Sequence, residues 1–366
     1  MKILHVETGK RWLGGPQQVL YLMHGLEDRG ISTCLVTCRN SALGDRAEST
    51  GLMVRRSSFV GDIDPQLTIA IIKAALKFRP HIIHLHSRRG ADVQGVWAAR
   101  FFGVPVVLSR RVDYKLRTDS FTKKRYAQSY DHIIAISEAI RQVLISCGVE
   151  ESLVTTVHSA VDTETFKPDP AMNMVARQLL SVPPESTLFA IVAQMIPRKG
   201  HETAFRAVQR LKADHPEARL AVFGKGAEEN RLRALAKELG IERQVIWAGF
   251  HENMQRVLPG IDCLVHPARL EGLGVAILQA AACGKPVIAC PVGGIPEAVK
   301  SPRTGWLVPV DDDAALWLAM RAVIDDPMGA IARGMAGRSL MEREFSVKSM
   351  VEGNIAVYDW VLKTKA

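Results

Sequence analysis

The chain has 366 residues, 47% hydrophobic and 23% charged, a balance that excludes a disordered, collagen-like or disulfide-scaffold protein. One hydrophobic core usually serves up to about 250–300 residues, so this length predicts two domains. The formal charge of +9 is the one oddity, and it is uneven: residues 1–167 hold 23 Lys and Arg against 16 Asp and Glu, residues 168–366 only 24 against 22.

The opening, MKILHVETGK, is too short in its apolar part for a secretory leader and reads as a first core strand. STCLVTC, HIIHLH, PVVLSR, HIIAIS and LVTTVH follow as strands, with amphipathic helices such as 16–29 and 67–78 between them. In the second helix Leu67, Ile71, Ala74, Ala75 and Phe78 recur at helical spacing. Continuous apolar strands alternating with helices predict a parallel sheet covered on both faces. The pattern lapses over 162–185, where prolines at 168, 170, 183 and 184 mark a linker with room for a short helix. It restarts with LFAIVAQ, ARLAVFG, VIWAGF, DCLVHP and PVIACP, separated by helices near 202–212, 227–239 and 274–283. A last amphipathic helix, 346–362, is placed to return to the first half. Two such α/β halves make a cleft between domains the expected binding site.

No apolar run approaches the ~18–20 residues that span a bilayer. The six cysteines form no C-x-x-C pair and lie mostly in apolar segments, so buried reduced thiols and a cytosolic address are expected, with no metal site. The densest basic stretch is Arg110, Arg111, Lys115, Arg117, Lys123, Lys124 and Arg125. It suits an anionic lipid surface or a phosphorylated substrate; a solvated loop fits it too. Nucleic acid is disfavoured, because few aromatics interleave the charges.

Several loops could carry chemistry. After the first strand, Gly14 and Gly15 precede Pro16, which suits a helix start whose free N–H groups favour an anion. A plain turn fits these residues equally. In AQMIPRKGHE, residues Gln194, Arg198 and Lys199 lie where open α/β sheets bind ligands. Gly224 and Gly226 in FGKGAEEN permit close backbone approach to a nucleotide, or simply turn the chain. The longest signal is HPARLEGLGVAILQAAACGKPVIACPVGGIPEAV. There Glu271 precedes Gly272, Leu273, Gly274 and Val275 at a helix start, and Gln279 lies eight residues beyond Glu271. Amides there suit a pyrophosphate, and the carboxylate suits sugar hydroxyls; a capping carboxylate is the bland alternative.

This stretch resembles the E-x7-E signature of the retaining glycosyltransferases of family 4. The resemblance extends to VAQMIPRKG, LAVFGKGAEEN, the GG loop, PHIIHLHS and SAVDTETFKP, nearly the whole chain. It implies the GT-B architecture: α/β, two Rossmann-like domains with parallel sheets facing across a cleft. The first, 1–167, would take the acceptor and be joined by helix 346–366; the second, 168–345, would hold the donor. Carried over by position, Glu271 would contact the transferred sugar, with the backbone of 272–275 facing it. Lys199 would neutralise the donor phosphates, and Gly15 would approach the pyrophosphate. Gly14, Gln194, Arg198, Gly224, Gly226 and Gln279 complete the expected donor set.

The chain departs from the family pattern at three places. Gln279 replaces the second acid, Gln194 the arginine before the lysine, and Arg111 the histidine after the PVV strand. Arg111 and His86 are the first half's catalytic candidates, while His84 reads as a core histidine. The implied activity is retaining, metal-independent hexosyl transfer without a cofactor, from a nucleotide-sugar co-substrate, with a UDP-sugar favoured. The acceptor would be a glycan or lipid-linked molecule of cell-envelope or lipopolysaccharide synthesis, met in the cytoplasm or peripherally at the inner membrane face. A nucleotide-sugar-binding partner subunit with little catalysis is the alternative.

Overall fold

The computed structural model describes residues 1–59, 64–86, 90–111, 126, 128–365. Of the basic stretch, Arg110 and Arg111 are among them; Lys115, Arg117, Lys123, Lys124 and Arg125 lie outside the described residues. The chain forms two units: Met1–Ala160 with Val347–Ala366, and Val161–Ser346.

The first unit is a parallel sheet of strands β1 (Lys2–Glu7), β2 (Ser32–Cys38), β3 (Met53–Ser57), β4 (Ile82–Leu85), β5 (Val106–Arg110), β6 (His132–Ala135) and β7 (Val154–Thr156). Their order is β3-β2-β1-β4-β5-β6-β7. Helices α1 (Gly14–Glu27), α2 (Ala42–Ser49), α3 (Pro65–Phe78), α4 (Ala91–Phe102) and α5 (Glu138–Ser146) connect them. Register fixes the two faces. His5 pairs with His84 and with Leu35, so Ile3, His5, Ile82 and His84 share one face. On it Ile3, Ile82, Val107 and Ile134 form a core with Leu22 and Leu26 of α1. The opposite face is covered by α3 and α4, as Leu85 against Gly95 shows. Asp64 starts α3 by accepting from Gln66 N at 2.8 Å, with Pro65 in the first turn, where its missing N–H costs nothing.

The second unit is a parallel sheet ordered β10-β9-β8-β11-β12-β13. Its strands are β8 (Leu188–Val192), β9 (Arg219–Phe223), β10 (Val245–Gly249), β11 (Cys263–His266), β12 (Val287–Ala289) and β13 (Gly305–Leu307). The helices are α6 (Pro170–Leu179), α7 (His201–Asp214), α8 (Glu229–Glu238), α9 (Val275–Ala282), α10 (Ile295–Ala298), α11 (Asp313–Asp325) and α12 (Pro327–Glu344). Inside the proline-rich stretch, Pro170 is not a breaker: Asp169 caps Ala171 N at 2.9 Å and Pro170 opens α6.

The division falls between Ala160 and Val161 rather than after Lys167. Val161 N donates to Phe345 O at 2.8 Å, and Arg338 reaches both Phe166 O and Ala282 O, which tie 161–166 to the second unit. The last helix, α13 (Val347–Lys365), belongs to the first unit. Its Met350, Val351, Val357, Tyr358 and Val361 are buried in the core beneath α1, where Gly25 lets Val351 approach.

All six cysteines are free and buried. Among the described residues, no helix is long and apolar enough to cross a membrane.

Candidate active site

In each sheet the order reverses once, between β1 and β4 and between β8 and β11. Open α/β sheets bind ligands outside the strand carboxyl ends at such points. Each point here carries a buried polar cluster.

In the second unit the cluster is Lys199, His201, His266 and Glu271. Lys199 ends the turn after β8, His266 ends β11, and Glu271 lies in the loop before α9. Two backbone features bring them together. Gly200 has φ +72°, and a Cβ there would lie 1.8 Å from Pro267 O, so only glycine lets this turn sit on the end of β11. Arg269 N donates to Arg198 O at 2.8 Å and fastens the two loops.

The result is a carboxylate held from two sides. Lys199 Nζ is ion-paired with Glu271 Oε2, and His266 Nε2 lies 3.0 Å from the same oxygen. Burial pushes the Glu271 carboxyl up, but His266 and Lys199 overcome it and hold it well below the usual carboxylate range. Its Oε1 accepts from Gly272 N at 3.1 Å. Both nitrogens of buried His201 lack hydrogen-bond partners. Burial, then the nearby His266 and Lys199, pull its pKa down to about 4, so it is neutral at pH 7.

Beyond Glu271, α9 starts from Gly274 at φ +86° without a side-chain cap, which leaves first-turn N–H groups for an anion. The Leu273 side chain is in the core, so only its backbone can face a ligand. Gln279 lies buried on α9. Arg198 is exposed and Gln194 half-buried in the loop after β8. Gly224 and Gly226 have a packing role: a Cβ on them would lie 2.0 Å from Ala193 O and 2.2 Å from Met195 O. The close approach these glycines permit is to the chain's own loop.

In the first unit the cluster is Glu7, His5, His84, His86, Ser109, Arg111 and Tyr358. His5 and Glu7 alternate on β1, His84 and His86 on and just after β4, Ser109 and Arg111 on and just after β5. One face of the sheet therefore turns from apolar at Ile3, Ile82 and Val107 to polar toward the strand carboxyl ends. His84 is saturated, with Tyr358 Oη at 2.6 Å on Nδ1 and Ser109 Oγ at 2.8 Å on Nε2. Burial, then neighbouring imidazoles and Arg111, pull His84 and His86 well below the usual histidine range, and burial brings His5 to about 3.

Neutral rings fix the tautomers. Arg111 Nη2 lies 3.5 Å from His86 Nδ1 and can only donate, so His86 carries its proton on Nε2 and donates to His5 Nδ1 at 2.9 Å. The His5 proton is then on Nε2, which is buried without a partner. Donor atoms of His5, His84 and His86 lie within 4.8 Å of one another, a spacing a metal ion could use. Against that, both His84 nitrogens are engaged and a guanidinium faces His86.

Burial lowers Arg111 to about 10, with Glu7 opposing. Burial raises Glu7, with Gly9 N–H and Arg111 opposing. A Cβ on Gly15 would lie 3.7 Å from Arg111 Cδ, so the guanidinium stem runs beneath the start of α1.

Of the sequence candidates, Lys199 and Glu271 touch, as do Arg111 and His86, and Gly15 adjoins Arg111. Sequence reasoning missed His266, His201, His5, Glu7 and Tyr358. The alternation H-V-E against H-L-H on neighbouring strands was the available signal for His5 and Glu7.

Two α/β units of this topology with polar clusters at both switch points define a protein of the two-Rossmann GT-B class. Residues 13–165 match the family model "Glycosyltransferase Family 4" and residues 176–338 match "Glycosyl transferases group 1". The chain belongs to this group 1/family 4 glycosyltransferase family. It is 34% identical over 202 residues to a GDP-mannose-dependent monoacylated alpha-(1-6)-phosphatidylinositol monomannoside mannosyltransferase of Corynebacterium glutamicum, covering 53% of each chain. It is 27% identical over 320 residues to a D-inositol 3-phosphate glycosyltransferase of Acidothermus cellulolyticus, covering 80% of this chain and 70% of that one. The match spans only about half the length of the first of these. The fold superposes on Anabaena HepE in complex with UDP, with a TM-score of 0.86 at 19% identity over 98% of this chain and 100% of that one. The lipopolysaccharide outer core galactosyltransferase WaaB gives a TM-score of 0.73 at 17% identity, over 98% and 100%.

Proposed function

We propose that the chain is a retaining, metal-independent glycosyltransferase that moves a sugar from a nucleotide-sugar donor to a glycan or lipid-linked acceptor of the cell envelope. The observation that carries this reading is the meeting of Lys199, His266 and Glu271 beside the uncapped start of α9. A donor sugar needs a hydroxyl acceptor, and Glu271 is kept ionised for that role. Its diphosphate needs positive charge that strengthens as the glycosidic bond breaks; Lys199 and the α9 amides supply it. Because one oxygen of Glu271 is already committed to Lys199 and His266, the carboxylate suits positioning rather than attack. The acceptor hydroxyl then attacks from the leaving-group side, and the departing phosphate takes its proton.

Arg111 is assigned to an anionic portion of the substrates, with His86 orienting its guanidinium through Nδ1 and Gly14 and Gly15 giving backbone access. A UDP-sugar is the favoured donor, supported by the UDP in HepE; the GDP-mannose in the relatives' names supports the guanine alternative. On this reading the chain works in the cytoplasm, at the inner membrane face where lipid-linked acceptors are presented, in lipopolysaccharide or a related synthesis.

A thermal-shift screen across UDP-, GDP- and ADP-sugars, followed by assay of nucleotide diphosphate release in EDTA, tests the reading. One nucleotide series should stabilise the chain and release diphosphate. Lys199→Ala should weaken that donor by roughly tenfold or more, the effect of losing a charge-assisted phosphate contact. Binding without release under all acceptors would instead support a non-catalytic partner subunit.

A further inference from the structure

The helices α3 and α4 lie side by side on the sheet face opposite α1 and α13, so their outward sides point the same way. An ordinary outward helix face is polar. Here Ile69 and Leu76 of α3 are 48% and 60% exposed, and Trp97 and Phe101 of α4 are 52% and 74% exposed. Ile69 and Leu76 are two turns apart on one stripe, and Trp97 and Phe101 one turn apart. The charged residues at exposed positions of the two helices are Lys73, Lys77 and Arg100, all cationic. The only carboxylate within either helix, Asp92, is buried.

We infer that this α3–α4 face docks the chain on an anionic phospholipid bilayer. Aromatic and aliphatic side chains enter the boundary between headgroups and acyl chains, while long basic side chains lie along the apolar surface and reach lipid phosphates. Charge decides between this occupant and a second copy of the chain. A two-fold contact would set Lys73, Lys77 and Arg100 against themselves with no exposed acid within either helix to offset them, whereas an anionic leaflet attracts all three. The inference concerns where the proposed transferase meets a lipid-linked acceptor, but the surface itself does not depend on the catalytic reading.

The experiment is co-sedimentation of the full chain with phosphatidylcholine vesicles and with equimolar phosphatidylcholine–phosphatidylglycerol vesicles, at low and high salt. Binding should require the anionic lipid and weaken with salt. The K73Q/K77Q/R100Q variant should lower the partition coefficient on the order of a hundredfold, the effect of three basic residues near a charged surface. Trp97→Ser with Phe101→Ser should abolish binding that survives high salt. A folded variant is confirmed by unchanged thermal denaturation, and unchanged diphosphate release with a water-soluble acceptor separates docking from catalysis. Absence of vesicle binding, binding unaffected by both variants, or a dimer that these substitutions dissolve would each overturn the inference.

Discussion

His266 Nε2 lies 3.0 Å from Glu271 Oε2, the oxygen that Lys199 also holds. A strand end, a tight turn and a helix-start loop thus converge on one carboxylate atom. Replacing Glu271 by Gln keeps the shape and removes the charge that both neighbours face. Turnover should fall by about 10²–10³, as when one preorganised polar contact to the reacting sugar is lost. Diphosphate release under saturating donor measures this, and thermal denaturation shows that the fold is kept. His266→Asn should produce a smaller loss of the same kind, because Lys199 still holds the carboxylate.

Arg111 occupies the place where the family pattern has a histidine. Arg111→His should raise KM for the anionic substrate by roughly tenfold or more while kcat changes less, because a neutral imidazole cannot replace a guanidinium at a phosphate. Arg111→Lys, which keeps charge but loses the planar fork, should fall between. Equal KM values in all three proteins, measured by steady-state kinetics, would remove Arg111 from substrate binding.

Much of this was legible in the sequence because it rests on periodicity and turn chemistry. Continuous apolar strands gave both sheets, and the Gly-rich start of α9 gave the placement of Glu271. Elements without a strong apolar run were not legible. β3, with its sequence MVRRS, is an edge strand whose residues are mostly half-buried, and α12 carries Gly329, Gly334 and Gly337. The polar clusters were only half visible, since they assemble from residues far apart in the chain: Tyr358 reaches His84 across 274 positions. Sequence spacing can place His5 and His84 on separate strands, but only the register puts them on one face.

Glycines of similar appearance should behave oppositely. A Cβ at Gly15 meets only Arg111 Cδ at ordinary contact distance, whereas at Gly224 it would strike Ala193 O, with φ at +136°. Gly224→Ala should destabilise the chain by about 2–4 kcal/mol through backbone clash and strain. Gly15→Ala should leave the melting temperature nearly unchanged and impair substrate affinity instead. Paired denaturation and kinetic measurements on both variants check this; a stable Gly224→Ala protein would contradict the packing role.

Acid should weaken the second unit through His201. Its pKa is lowered by burial to about 4, against an ordinary value of 6.5. Between these values the unfolded chain binds more protons than the folded one, so unfolding becomes easier as pH falls. The contribution is complete above pH 6.5, shrinks through the interval and is lost below the folded value. Its ceiling is about 3 kcal/mol, the energy of a shift of this size in a buried group. The buried His5, His84 and His86 act in the same direction in the first unit, while Glu7, pushed up by burial, opposes them near its own range. Urea unfolding at pH 7 and pH 5 should therefore show a marked loss of stability in the native chain. His201→Leu removes nitrogens that have no partner to lose and should flatten part of that dependence, specifically in the transition of the second unit. An unchanged pH slope in this variant would show that His201 does not set it.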